Sequence, residues 1–145
     1  EAIMKYLALD IGDVRIGVAK SDIMGMIASP LEVIDRKKVK AIYRIKDICR
    51  EENCYTLVVG IPKSLDGTEK VQAEKTREFM KKLKEKIPQI VYIEIDERYT
   101  TTAAHNMLTE MSGKNQKEQR KVVDKVAATI ILQKYLDMQY RQGLS

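Results

Sequence analysis

The segment YLALDIGDVRIGVAKS, residues 6–21, constrains the fold more than any other part of the chain. Two apolar runs flank a short turn containing Gly12, and strand-like runs joined this closely read as an antiparallel hairpin. The first run predicts a strand over Lys5–Ile11 and the second a strand over Arg15–Ser21. MIASPLEVI, within Met24–Ile34, alternates and extends the meander by a third strand. The first strand ends by delivering a carboxylate, Asp10. A charge at the end of an apolar strand is costly to hold unless a cation receives it.

After the meander the hydrophobic period changes. Lys38–Glu52 places Val39, Ile42, Ile45, Ile48 and Cys49 on one helical face. TLVVG is a short, continuously apolar strand of the kind covered on both faces. GIPKSLDGTE is a loop, and Thr68 followed by an acid suits a helix start. The next helix is expected over Glu69–Lys86 with Val71, Phe79, Leu83 and Ile87 facing the core, followed by the strand IVYIEI. Thr100 or Thr101 suits the cap of a helix carrying Ala103, Ala104, Met107 and Leu108. SGKNQKEQRK is a polar, basic loop or a fraying helix start, and the last helix is expected over Lys121–Tyr140. A meander followed by alternating helices and strands predicts an α/β fold: a mixed five-stranded sheet whose later strands are parallel, with helices on both faces.

The chain has 145 residues, enough for one domain with a genuine core. Lys and Arg number 26 against 21 Asp and Glu, a net charge of +5 that is compatible with a phosphate-rich partner. No segment reads as a signal peptide or a membrane span, so a cytoplasmic protein without a membrane partner is expected. Cys49 and Cys54 lack a second pair to complete a zinc site and read as reduced thiols. Met4 is expected to be the native start, leaving Glu1, Ala2 and Ile3 outside the fold.

Three acids stand where apolar segments end or are interrupted. Asp124 lies in VVDKVAATIIL, a helix start that is apolar on nearly all sides; the competing reading is an N-cap of a helix that begins later. Asp10 has a competing reading as a turn cap, and Asp96 and Glu97 as solvated acids paired with Arg98. Taken together these readings weaken, because groups at the carboxyl ends of neighbouring strands converge on one edge of an open α/β sheet. Several ionised carboxylates in one buried place require a cation. An oxygen-only donor set favours Mg²⁺ or Mn²⁺, and such a cluster suits two-metal phosphodiester cleavage.

LALDIGDVRIGVAKSD, VVGIPKSLDGTE, DERYTT and VDKVAATIIL occur in an order that resembles the YqgF family, over Met4 to about Leu136. The resemblance implies a ribonuclease H-like fold over a single domain, 4–141, and a metal-dependent nuclease. Asp10, Glu97 and Asp124 match the family's acids and are the expected catalytic and metal-binding residues. Asp96 also matches an acid of the second block; Glu97 is preferred because it continues the strand parity of Ile93 and Ile95. Lys125 stands where a small or neutral residue is expected, and its ammonium would compete for Asp124 if it turned inward. Gly12 and Gly17 permit the tight turn and leave room for a phosphate. Arg15, Lys63 and Arg98 are the expected nucleic-acid contacts, each with a competing reading as a surface or structural pair. The run Lys114, Lys117, Arg120 and Lys121 could track a backbone, whereas His105 is assigned no role.

The expected substrate is precursor 16S rRNA, processed at its 5′ end, or alternatively a four-way DNA junction. A non-catalytic nucleic-acid-binding or ribosome-assembly factor is the competing class. A sugar-kinase or actin-like phosphate binder is disfavoured, because it needs two lobes and a second phosphate loop. No exposed apolar helix face announces a two-fold dimer, so a monomer or weak dimer is expected.

Overall fold

The computed structural model describes residues 5–64, 66–97 and 116–143, with side chains of the last helix described from 125 to 140. The elements are β1 (Leu7–Ile11), β2 (Arg15–Ser21), β3 (Ala28–Asp35), α1 (Ala41–Glu51), β4 (Thr56–Ile61), α2 (Val71–Lys86), β5 (Val91–Asp96) and α3 (Gln116–Gly143). The sheet order is β3-β2-β1-β4-β5. β1–β2 and β2–β3 pair antiparallel, whereas β1–β4 and β4–β5 pair parallel, as a meander followed by helical crossovers requires.

Strand alternation sorts the apolar residues into two cores. Leu7, Leu9, Ile16, Val18, Leu57, Val59 and Ile61 point to one face, where Ile45 and Ile48 of α1 and Phe79 and Leu83 of α2 cover them. Arg44 fastens α1 to this assembly through two bonds to the Glu32 carboxylate of β3, at 2.7 and 2.6 Å. Ala8, Ala19, Val58 and Ile95 point the other way, against Ala128, Ile131, Leu132, Tyr135 and Leu136 of α3. The sheet residues on this second face are mostly small, so α3 lies close to the strands. It is tied down towards both edges. The Gln133 side chain accepts from the Ala28 N–H (2.9 Å) and donates to the Met26 carbonyl (3.1 Å), and Lys134 Nζ donates to the Asp96 carbonyl (3.0 Å).

Several expected boundaries move, each for a local reason. β3 begins at Ala28 rather than Met24, because the Asp22 carboxylate accepts the N–H groups of Met26 and Ile27 (2.8 and 3.0 Å) and folds that stretch into a turn. Val39 lies outside α1 and is exposed; its N–H and that of Lys38 are taken by the Asp35 carbonyl in the preceding turn. Val71 opens α2 and is 64% exposed rather than facing the core. Thr68 does not cap this helix, whose N-cap is Lys70; its N–H and hydroxyl both bond the Asp66 carboxylate instead. α3 starts at Gln116, so the second half of the basic run is helical. Thr100, Thr101, the helix expected around Ala103–Leu108, His105 and Lys114 lie outside the described residues. Cys49 and Cys54 are both free and buried. Burial pushes both thiols up, Cys49 to about 12.

Candidate active site

Asp10 follows Ala8 on the α3 side of β1. Its partner across the β1–β2 ladder is Gly17, and on the other flank Gly60 follows Val59, the partner of Leu9. The acid therefore stands between two strand positions without side chains. At the start of the hairpin turn, the Gly12 N–H donates to the Arg15 carbonyl (3.0 Å), and a Cβ on Gly12 would lie 2.7 Å from that oxygen. Only glycine closes the turn this tightly behind Asp10.

Glu97 reaches the same place from β5. Its N–H donates to the Ile61 carbonyl (3.1 Å), which continues the ladder one residue past the strand and keeps the parity of Ile93 and Ile95. Its carboxyl group is hydrogen-bonded to that of Asp10. Burial, then the neighbouring Asp10 charge and this bond, and finally the Asp96 charge hold Glu97 well above the usual carboxylate range. Glu97 Oε2 lies over Gly60, where a Cβ would come within 2.7 Å of it and within 2.5 Å of Ile131 Cδ1. The missing side chain at Gly60 thus makes room both for the acid and for α3. The expectation from TLVVG was only a buried strand; a glycine closing an otherwise apolar run was the available signal.

Asp96 is half-buried and adds its charge to Glu97, while its carbonyl receives Lys134. Of the two adjacent acids, Glu97 continues the parity of Ile93 and Ile95 and is hydrogen-bonded to Asp10. The backbone at Asp124 lies more than two turns into α3, which removes the reading of that residue as an N-cap. Position 124 is seven residues before Ile131 and so on the same side of the helix. Lys125 is exposed. Arg15 occupies the α3 side of β2, two residues from Gly17 towards the turn. Lys63 lies just past β4, with its ammonium 3.9 Å from Glu69. Arg98 lies outside the described residues. Among the described residues no group of three or more acids, histidines or cysteines gathers around one point; the acids meet as a pair.

Two neighbouring, half-buried carboxyl groups that share a hydrogen bond hold a proton where two ionised groups would repel. Glu97 binds that proton more tightly folded than unfolded, so stability of the metal-free protein falls as pH rises above the ordinary carboxylate value of 4.5. Glu97→Gln is expected to be more stable than the unsubstituted chain at neutral pH in chelator, by on the order of 1–3 kcal/mol, and so to melt higher. Adding Mn²⁺ is expected to raise the melting temperature of the unsubstituted chain and to do so much less in the variant. Thermal melts with and without metal check both; equal metal shifts in the two proteins would remove Glu97 from any ion site.

A family model described as "RuvX: Holliday junction resolvase" matches residues 4–138. The chain belongs to the RuvX family. A RuvX relative from Fusobacterium nucleatum, named "Putative pre-16S rRNA nuclease", is 63% identical over 134 residues, covering 92% of this chain and 97% of its own. A protein of the same name from Acetivibrio thermocellus is 44% identical over 136 residues, covering 92% and 96%. Among solved structures, Thermus thermophilus RuvC in complex with a Holliday junction substrate superposes with a TM-score of 0.57 at 12% identity, over 94% of this chain and 96% of that one. A second structure of T. thermophilus RuvC gives 0.53 at 11% identity, over 94% and 97%. That likeness establishes the ribonuclease H-like fold expected from the sequence.

Proposed function

We propose that this RuvX protein is a metal-dependent nuclease that hydrolyses phosphodiester bonds, processing the 5′ end of precursor 16S rRNA. The observation that carries the reading is the carboxyl pair of Asp10 and Glu97 at the carboxyl ends of β1 and β5, beneath α3. The pair fits a hard divalent cation, because its donors are all oxygen and both carboxylates ionise together only when a positive charge lies between them. Asp10 and Glu97, with Asp124 from α3, would hold Mg²⁺ or Mn²⁺. When bound, such ions supply an activated water and stabilise the leaving oxygen. Arg15, Lys63 and Arg98 would fix the register of the phosphate backbone across this rim. Glu69, which faces Lys63, is itself bound by Arg77 at 2.7 and 2.9 Å, so Lys63 can turn to a phosphate without stranding an acid.

The names of the relatives support RNA as substrate, and the family description favours a second reading, cleavage of four-way DNA junctions. Purified protein with Mn²⁺ should be offered a precursor 16S 5′ end and a four-way junction in parallel. Trimming of the RNA with the junction left intact is expected. Junction cleavage alone would reassign the substrate. Binding of either without cleavage would favour a non-catalytic assembly factor.

A further inference from the structure

The loop between β3 and α1, following Asp35, reads Arg36-Lys37-Lys38-Val39-Lys40. As sequence this is a charge run of the kind usually spread into solvent. In the fold it forms one wall of a cleft of about 470 Å³, whose other wall is α2 through Phe79 and Lys82. Arg36, Lys37, Lys38, Lys40 and Lys82 line it together, with no acid side chain in the lining. Among the described residues, none of these five cations forms a salt bridge, whereas Arg44, Arg50, Arg77, Lys5, Lys63 and Lys75 are each matched to an acid. Asp13, Glu74 and Glu78 line the adjoining cleft that shares Arg36 and Lys82, so the cations of the loop itself, Lys37, Lys38 and Lys40, are the ones whose mutual repulsion an anionic partner would relieve.

The position of the cleft limits the partner. Arg36 Nη1 donates to the Gly12 carbonyl (2.7 Å), its N–H donates to the Val14 carbonyl (2.9 Å), and its guanidinium lies 4.8 Å over the Phe79 ring. One end of the cleft is therefore fixed to the turn that follows Asp10. Gly12 is two residues along the chain from Asp10, about 7 Å of extended backbone. A nucleic-acid strand crosses that distance in about two phosphates. The cleft opens on the α1–α2 side of the sheet and the acid pair lies on the α3 side, so a strand that reaches both passes over the hairpin turn between them.

We infer that the Arg36–Lys40 loop and Lys82 form a second phosphate-backbone site, which holds the strand flanking the cleaved bond. The inference rests on the nuclease reading above and extends it to a surface away from the acids. The five cations carry no base-reading geometry, so the cleft holds any sequence and adds affinity and register.

The test uses single-stranded RNA long enough to span both sites, titrated in salt against the full chain carrying Asp10→Asn, so that binding is read without cleavage. Adding Lys37→Ala, Lys38→Ala and Lys82→Ala is expected to flatten the dependence of log affinity on log salt by about 2 units, at roughly 0.7 per single-strand phosphate. Arg36 is left intact because it anchors the turn. A control removes the same charge from Lys46, Lys84 and Lys86, further down α1 and α2, and is expected to leave the slope unchanged. An unchanged slope in the cleft variant, or equal flattening in the control, overturns the site. If the chain without lysine substitutions binds no RNA or DNA, the nuclease reading falls and the cleft with it. An unchanged slope beside normal cleavage by the Asp10 protein removes the cleft alone.

Discussion

Asp10→Asn is expected to abolish metal-dependent cleavage while leaving nucleic-acid binding intact or tighter. Asn keeps the size of the side chain and one carbonyl oxygen, so the strand and the tight turn closed by Gly12 survive. What goes is the negative charge that faces Glu97 across the shared hydrogen bond. Without it the site loses half of its described carboxyl pair, and with it the means to hold an ion during the reaction. Loss of about 4 kcal/mol of transition-state stabilisation corresponds to roughly a thousandfold in rate. Binding moves the other way because a polyanion approaches a less negative rim. Single-turnover cleavage and filter binding on the same preparation check the split. Full cleavage by the variant would remove Asp10 from the chemistry, and parallel loss of both would indicate a folding defect.

Gly60→Ala is the second large effect, and it strikes stability and activity together. A methyl group there would come within 2.5 Å of Ile131 Cδ1, 3.2 Å of Ile131 Cγ1 and 2.7 Å of Glu97 Oε2. Ile131 is fully buried among Ala128, Leu132 and Val58, so it has nowhere to retreat without displacing α3. Overpacking of this kind costs about 1–3 kcal/mol. Relief by moving Glu97 instead pulls its carboxyl group away from Asp10. Denaturant unfolding should show the loss of stability, and cleavage should fall further than the loss of folded protein accounts for. A variant of unchanged stability and rate would mean that α3 does not sit as closely on β4 as described.

The acids at the strand ends were legible because strand parity is a local property. Alternation groups Asp10 with Ala8 and Glu97 with Ile93 and Ile95, and the ladders that pair Ala8 with Val58 and Val58 with Ile93 put the two groups on one face. The mixed pairing, an antiparallel meander with later strands parallel, was legible because short turns and helical crossovers leave few topologies; the strand order itself was not read. What escaped the sequence depends on partners distant along the chain. Gly60 looks like an ordinary strand residue until Ile131 is packed over it. Val39 and Val71 fit helical periods, but the Asp35 carbonyl and the position of the Lys70 cap decide where those helices begin. The Arg36–Lys40 run became a cleft only when α2 supplied Phe79 and Lys82 as its second wall. For Asp124, the start of α3 at Gln116 decides against a cap, which no feature of VVDKV alone could do.

The division of the sheet between two early helices and one late helix has a consequence for biosynthesis. Every residue of the α1–α2 core precedes Ile95, so that face can close while the rest of the chain is still being made. Among the described residues, the face bearing Asp10 and Glu97 is covered by Ala128 to Leu136, far along the sequence from the strands. Among the described residues, the acid rim is therefore covered by the element translated last, and its burial waits on contacts that span most of the chain, which are slow to form.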